Sequence, residues 1–514
     1  MTQRQTRLLW KQLLQRKARD SLSLQGQIRE MLVGAILDGH LPPATCHLPP
    51  GAALPSSRLM ASQLEVARNT VVLAYQQLSD EGYLVSRERS GHFVDRQVLA
   101  GRGRPGVAEP PLPIAQPEQP SRTTPNWGAR LQQSPATQRS IVKPADWQRY
   151  PYPFLYGQFD STLFPTADWR ECCLKTLSVL DIREWAPDQI ARDDDALVQQ
   201  IRTRVLPRRG VWASADEIVV TVGAQHALYL VADLLVRKAT RVGIEDPGYP
   251  DARNIFASRT QQLLPLPVDE DGLPVDERLQ GLDYVYATPS HQCPTSVTMP
   301  LARREALLKM ADQHDFVIIE DDFESENRFD GEPIPALKSM DRSQRVIYVG
   351  SLSKSLAPGL RLGYVVAAPE LITELRALRR LMLRHPNTFI QRVFALFLSL
   401  GHHDAQLRRL AVAQRERCDI ALAAMALHAP ECQVLPMLGG GSCWVQLPDG
   451  VDANDLARRA ATLGVLIEPS DVFFMAERPP GGFIRLGYQS IAAGAVEPGI
   501  RLLAEALAQC RRSA

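Results

Sequence analysis

The sequence predicts an α/β protein in two parts: a small helix-rich N-terminal module, then a large domain built on a mostly parallel sheet with a smaller α+β lobe. Three observations predict it. From residue 151 onward, short apolar runs (residues 217–222, 241–245, 284–287, 316–320 and 345–350) alternate with helical stretches, the pattern of a sheet covered by helices on both faces. Residues 1–96 instead carry helical periodicity and end in two strand-like pieces. Between them, residues 97–150 are proline-rich, with Arg102-Gly103-Arg104-Pro105 and Glu109-Pro110-Pro111-Leu112-Pro113. That composition suits a semi-extended linker, with Trp127, Ile141 and Trp147 as anchors wherever its second half packs on the domain that follows. The expected boundaries are therefore 1–96, 97–150 and 151–514.

At 514 residues the chain exceeds one ordinary core. Its 45% hydrophobic and 22% charged residues are those of a soluble globular protein. A net charge of +1 argues against a nucleic-acid coat protein, yet residues 1–96 hold 12 Lys and Arg against 8 Asp and Glu. A local basic excess of that kind serves phosphate contacts. The eight cysteines are scattered without a Cys-x-x-Cys pair, so no zinc site is expected. Residues 1–20 lack the apolar core of a signal peptide, and no apolar run reaches ~18 residues. No membrane association and a cytoplasmic location are expected.

In the N-terminal module, Leu22, Leu24, Ile28, Leu32, Ile36 and Leu37 mark one amphipathic helix. Pro55, Ser56 and Ser57 can open a second, running through Leu64. After the short turn Glu65-Val66-Ala67, a third begins at Arg68-Asn69-Thr70 and continues to Leu78. Two helices with so tight a connection fit helix-turn-helix geometry, the third being the recognition helix. Residues 82–87 and 91–94 then form two strands around the basic tip Glu88-Arg89-Ser90, a wing suited to a minor groove. The segment resembles the GntR-type winged-helix family. That resemblance implies binding of a double-stranded DNA operator through Arg58, Arg68, Thr70, Gly91 and His92. Leu41-Pro42-Pro43 and Leu48-Pro49-Pro50 look like a short insertion before the second helix.

In the large domain, the candidate site residues follow strands, where open α/β sheets bind ligands. Gly223-Ala224-Gln225 turns a strand into a helix and lets backbone N–H groups approach a phosphate. Tyr249, in Glu245-Asp246-Pro247-Gly248-Tyr249-Pro250, presents a flat ring for stacking. Glu320-Asp321-Asp322-Phe323 places carboxylates at a strand end, where one can keep a pyridine nitrogen protonated. In Ser351-Leu352-Ser353-Lys354, the lysine amine suits a Schiff base with a phosphorylated aldehyde, while Ser351 and Arg361 hold the phosphate. Arg485, lone in the apolar strand Phe483-Ile484-Arg485-Leu486, needs an anionic partner, a part that a ligand carboxylate would fill.

Over roughly 360 residues these stretches resemble the fold-type I aminotransferases. The resemblance implies pyridoxal 5′-phosphate (PLP) on Lys354, with Gly223, Ala224, Gln225, Ser351 and Arg361 at the phosphate and Tyr249 stacked on the ring. It implies Asp321, rather than Asp322, at the ring nitrogen, and Arg485 at an effector carboxylate. Pro289-Ser290-His291-Gln292-Cys293-Pro294 replaces the usual Asn-Pro turn and is similar to the MocR subfamily, in which a GntR module is fused to an aminotransferase-like domain. Relatives often carry tyrosine where this chain has Phe323, which cannot donate a hydrogen bond to the cofactor's ring hydroxyl. Unless His291, Gln292 or another donor compensates, the lysine-bound cofactor should keep its proton to higher pH.

The expected function is a PLP-dependent transcriptional regulator that senses an amino compound, or PLP itself, through Lys354. The alternative is an active aminotransferase carrying a DNA-binding domain. The resemblance also implies a domain-swapped homodimer, with Tyr156-Gly157 and Phe164-Pro165 in the segment that helps build its interface.

Overall fold

The structure is a computed structural model and describes residues 10, 14, 23–37, 51–87, 91–95, 125–324, 334–437, 439–475 and 482–513. The wing tip Glu88-Arg89-Ser90, the insertion near residues 41–50 and the proline motifs at 102–113 lie outside the described residues. The chain divides into two compact units, Met1–Ala129 and Arg130–Ala514.

In the first unit, helix α1 spans Leu24–Leu37. Its start is set by Ser23, whose Oγ accepts from Gly26 N at 3.3 Å. Helix α2, Ser57–Leu64, is capped by Ser56, which accepts from Leu59 N, and it ends where Glu65 turns left-handed at φ 59°. Helix α3, Arg68–Asp80, follows at once. Ile28, Leu32, Met60, Leu64, Val71 and Leu78 are buried together with Trp10 and Leu14. Tyr75 spans this core and donates its hydroxyl to Pro55 O at 2.9 Å, fixing α3 against the start of α2. Strands β1 (Leu84–Arg87) and β2 (Gly91–Val94) pair antiparallel, Leu84 opposite Val94, to form the wing.

The second unit is organised by a seven-stranded sheet of β3 (Ile218–Thr221), β4 (Arg241–Asp246), β5 (Gln262–Pro267), β6 (Tyr284–Ala287), β7 (Val317–Asp321), β8 (Val346–Ser351) and β9 (Gly363–Val366). Its order is β3-β9-β8-β7-β6-β4-β5, and only β9 runs antiparallel to its neighbours. One apolar cluster includes Val219, Ile244, Ile319 and Val349 with helix α4 (Gly223–Leu235). Another unites Ile218, Tyr348 and Tyr364 with helix α5 (Thr388–Ser399). Helix α4 starts at Gly223 itself, so the Gly223-Ala224-Gln225 turn is already its first turn.

The small lobe holds a four-stranded antiparallel sheet, β10 (Gln433–Val434), β11 (Ser442–Gln446), β12 (Glu468–Pro469) and β13 (Phe483–Gly487), in the order β10-β11-β13-β12. Helices α6 (His402–His428) and α7 (Ala493–Ser513) cover it. Part of the stretch expected as linker belongs by contact to this unit. Arg139 Nη2 donates to Phe474 O and Met475 O, both at 2.9 Å, and Lys143 Nζ donates to Tyr156 O. No helix among the described residues is long and apolar enough to cross a membrane.

Candidate functional site

Parallel strands β3, β4, β7 and β8 all end at one edge of the sheet, and β9 begins there because it runs the other way. Each is followed or preceded by a residue chosen from sequence. A cavity of about 290 Å³ opens at that edge, lined by Gly223, Ala224, Gln225, Tyr249, Asp321, Ser351, Lys354, Arg361 and Arg485. All nine residues expected for cofactor and effector are thus brought together.

One end of the cavity is built for an anion. Gly223, at φ +77°, opens α4, so the first amides of that helix lack intrahelical partners and face the cavity. Arg361, left-handed at φ 52°, brings its guanidinium alongside and donates from Nη2 to Val222 O at 3.3 Å. Three nearby serines differ in what remains free. Ser351 and Ser353 both line the cavity, but Ser353 is spent on the N–H and the carbonyl of Leu362, and Ser355 donates to Leu352 O.

The two aspartates after β7 differ sharply. Asp322 is enclosed by Arg209, Ser290 and Tyr348, whose hydroxyl donates at 2.6 Å. Burial works to raise it, but the Arg209 guanidinium and these hydrogen bonds outweigh that and hold its carboxyl below the usual range. Asp321 accepts from the Tyr286 hydroxyl at 2.9 Å on Oδ2, while its buried Oδ1 has no hydrogen-bond partner and its side chain lines the cavity. Burial pushes its pKa up to about 6 against the Tyr286 hydrogen bond and the Lys354 charge. A buried carboxylate oxygen without a donor is costly, and a cationic N–H entering the cavity would satisfy it. Tyr249 presents its ring to the same space and donates its hydroxyl to Asp251 Oδ2 at 3.2 Å.

Lys354 Nζ donates to the Tyr156 hydroxyl at 2.8 Å and sits 4.3 Å from the centre of the Phe323 ring. Neither His291 nor Gln292 lines the cavity, and Gln292 Nε2 is spent on Pro247 O and Cys293 O, both at 2.8 Å. Cys293 does line it, with burial pushing its thiol up to about 12.

Arg485 departs from what its place in the sequence suggests. Its anionic partner is already in the chain: Nε donates to Glu468 Oε2 at 2.7 Å, across the pairing of β12 with β13. The guanidinium lies between the rings of Tyr156 (4.2 Å) and Phe473 (4.6 Å), and only Nη2 stays buried without a hydrogen-bond partner. Lys143 Nζ stands 3.6 Å from Glu468 Oε1 and also lines the cavity. Lys143 lies in the stretch whose composition is that of a linker, and no motif marks it. The sequence points to Tyr156 only as part of an interface, and its contact with Lys354 has no local signal.

In the first unit, Arg58 and Arg68 are exposed on α2 and at the start of α3, with Arg68 Nε 3.5 Å from Ser57 Oγ, and Thr70 is half-buried two residues on. Gly91 opens β2 at φ +96°, and nothing lies within 4 Å of a Cβ placed there. His92 is half-buried, edge-on to Tyr75 at 5.0 Å, at the root of the wing.

Fold and site together define an aminotransferase-like α/β domain, of the class whose families use a cofactor of the PLP type, preceded by a winged helix-turn-helix. The profile of the bacterial regulatory proteins of the gntR family matches residues 24–94, and that of aminotransferase class I and II matches residues 194–490. The HTH-type transcriptional regulator TauR of Rhodobacter capsulatus is 40% identical over 485 residues, which cover 94% of this chain and 96% of TauR. The regulatory protein MocR of Rhizobium meliloti is 31% identical over 485 residues, 93% of each chain. The crystal structure of LysN from Thermus thermophilus, an α-aminoadipate aminotransferase complexed with N-(5′-phosphopyridoxyl)-L-leucine, superposes with a TM-score of 0.68 at 27% identity, covering 76% of this chain and all of LysN. The chain belongs to the MocR-type GntR regulators, DNA-binding transcription factors with an aminotransferase-like domain.

Proposed function

We propose that this regulator binds PLP at Lys354 and changes its hold on a DNA operator when an amino compound, or PLP itself, reaches that site. The observation that carries the reading is the orphaned Asp321 Oδ1, buried in the same cavity as the Lys354 amine and the Gly223–Arg361 cradle. When bound, the cofactor supplies an aldehyde that condenses with amines and a ring whose protonated nitrogen draws electrons. Gly223, Ala224, Gln225, Ser351 and Arg361 would hold its phosphate, Tyr249 would face its ring, and Asp321 would accept from the ring nitrogen. Lys354 would supply the amine with which an amino effector competes. Arg485 would meet that effector through its terminal guanidinium nitrogens, because Glu468 occupies Nε.

Residues 1–96 act as the DNA-binding domain, contacting the operator through Arg58, Arg68, Thr70, Gly91 and His92. Residues 97–150 link it to the effector domain at 151–514, with the segment from Arg130 docked on that domain. The protein works in the cytoplasm as a domain-swapped homodimer. Exposed Leu174, Leu177, Val179 and Leu180, following the Phe164-Pro165 segment, form an apolar surface suited to a second copy.

The test is a visible-absorbance titration of the full-length chain with PLP, then with a panel of amines, in wild type and Lys354→Ala. A lysine-dependent band that shifts with an amine, together with an operator footprint that changes in step, is the expected result. A band of equal strength in Lys354→Ala would overturn the reading. Stoichiometric ketone formation without any change in the footprint would favour an aminotransferase instead.

A further inference from the structure

Two cations reach the effector end of the cavity, and a single carboxylate serves both. Arg485 Nε donates to Glu468 Oε2 at 2.7 Å, and Lys143 Nζ stands 3.6 Å from Glu468 Oε1. The longer distance is an ion pair without a hydrogen bond, and Glu468 Oε1 is buried with no hydrogen-bond partner. Arg485 Nη2 is likewise buried without one. Lys143 and Arg485 both line the cavity, whereas Glu468 does not. Two cations against one carboxylate leave a positive charge in excess, at a place where Arg485 is 2% and Glu468 3% exposed. Such a charge costs free energy until an opposite one meets it. Burial, opposed by Glu468 but reinforced by the Arg485 and Lys354 charges, holds the Lys143 pKa below the usual lysine value. An anion beside it would offset that cost.

The chain around Lys143 holds it in place. Its Nζ donates to Tyr156 O, on the residue whose ring lies 4.2 Å from the Arg485 guanidinium. Earlier in the same stretch, Arg139 O accepts from Asn254 Nδ2 at 2.8 Å and from Arg253 Nη2 at 3.2 Å. The Arg139 guanidinium donates to Phe474 O and Met475 O, in the loop that sets Phe473 against Arg485 at 4.6 Å. Ile141, between them, lines the cavity and packs beside Trp444 and Phe473. Residues 139–143 are thus a fixed wall of the cavity. An ammonium carries three donors, and Tyr156 O takes one of those on Lys143.

We propose that Lys143 is a specificity-determining residue: with Arg485 it forms a subsite for one anionic group, so the effector is an amine that carries a singly charged acid. The inference rests on the reading of Lys354 as the amine with which an effector competes, and it adds a second cation to the lone arginine of β13. The acid takes Lys143 and the terminal nitrogens of Arg485, while Glu468 stays behind the guanidinium on Nε. A neutral amine of the same size leaves the excess charge unmet and binds less well. Lys143 also belongs to the stretch that leads in from the DNA-binding unit, so an acid seated there touches the connecting chain itself.

The experiment is a calorimetric titration of the full-length chain with two stable conjugates, N-(5′-phosphopyridoxyl)-β-alanine and N-(5′-phosphopyridoxyl)-propylamine. They differ in the acid group alone, and neither needs a covalent bond to Lys354. Wild type is expected to bind the acid conjugate at least roughly tenfold more tightly, the scale of one charge-assisted hydrogen bond. Lys143→Met should erase most of that preference and leave the affinity for the propylamine conjugate unchanged, whereas Lys143→Arg should keep the preference. Should Lys143→Met not fold, Lys143→Gln carries the same comparison. A preference equal in wild type and Lys143→Met overturns the proposal, as does the absence of any preference in wild type. Equal losses for both conjugates would make Lys143 a packing residue and overturn it too. If wild type binds neither conjugate, the cofactor reading itself fails, and the subsite falls with it.

Discussion

Arg361 closes over Gly223: a Cβ at position 223 would lie 3.0 Å from its Nη2 and 3.1 Å from its Cζ. The close approach exists because residue 223 has no side chain and adopts φ +77°. It brings a guanidinium and the first amides of a helix to bear on one small volume, the requirement for a phosphate group.

Gly223→Ala should therefore push Arg361 aside and strain the turn. PLP affinity, measured by absorbance titration, is expected to fall at least roughly tenfold, the scale of losing one charge-assisted hydrogen bond. Urea stability should fall by only about 1 kcal/mol. Unchanged affinity would show that the phosphate is held elsewhere.

Asp321→Asn isolates a pH effect. The native pKa is raised from 3.8 to about 6, so the folded chain binds this proton more tightly than the unfolded chain does. The associated stability is fully present below the unfolded value and is lost as pH rises through about 6. Relative to Asp321→Asn, the cofactor-free wild type should lose about 2 to 3 kcal/mol between pH 4 and pH 7 in urea unfolding. Parallel stability curves for the two proteins would refute this. A cationic ring nitrogen beside Asp321 should remove much of the penalty, so PLP ought to stabilise wild type more than the variant at neutral pH.

Phe323→Tyr would add a hydroxyl beside the Lys354 amine, in a cavity that neither His291 nor Gln292 lines. The lysine-bound cofactor should then lose its proton at lower pH than in wild type, as followed by its visible absorbance. An unchanged titration would mean that Tyr156 already serves as the missing donor.

Arg58→Ala and Arg68→Ala each remove an exposed cation from the face presented by α2 and α3. Each should weaken operator binding roughly tenfold and lower the slope of log affinity against log salt by about 1, if the lost contact is to phosphate. Gel-shift titrations at several salt concentrations will show whether either change leaves the slope intact.

The apolar runs made most of the large sheet legible, and residue types at strand ends picked out every expected cavity residue. Two strands left no such mark. Strand β5 contains Pro265 and Pro267, which argue against a strand in the interior of a sheet, but β5 lies at the edge, where a missing N–H costs little. Strand β9 carries an apolar run as short as those of β3 and β6, but it returns antiparallel from β8 with no α-helix between them, so the alternation of apolar runs with helical stretches that marks the other strands is missing there. The site was harder to read wherever function depends on pairing. That Glu468 already occupies Arg485, and that Lys143 reaches the cavity from a stretch composed like a linker, are facts of tertiary contact with no local pattern behind them.

Ser351 and Gly363 face each other in the register of β8 and β9, and Leu352 N donates to Leu362 O at 3.0 Å just above them. The segment bearing Lys354 and Arg361 therefore hangs from a single clasp. The backbone loop that carries both residues is closed at its neck, and Ser353 Oγ reinforces the closure by bonding Leu362 N and O. A ligand held at both Lys354 and Arg361 would thus be measured against one closed loop of backbone, and any latitude in its size would have to come from other walls of the cavity, such as Tyr249 or Arg485.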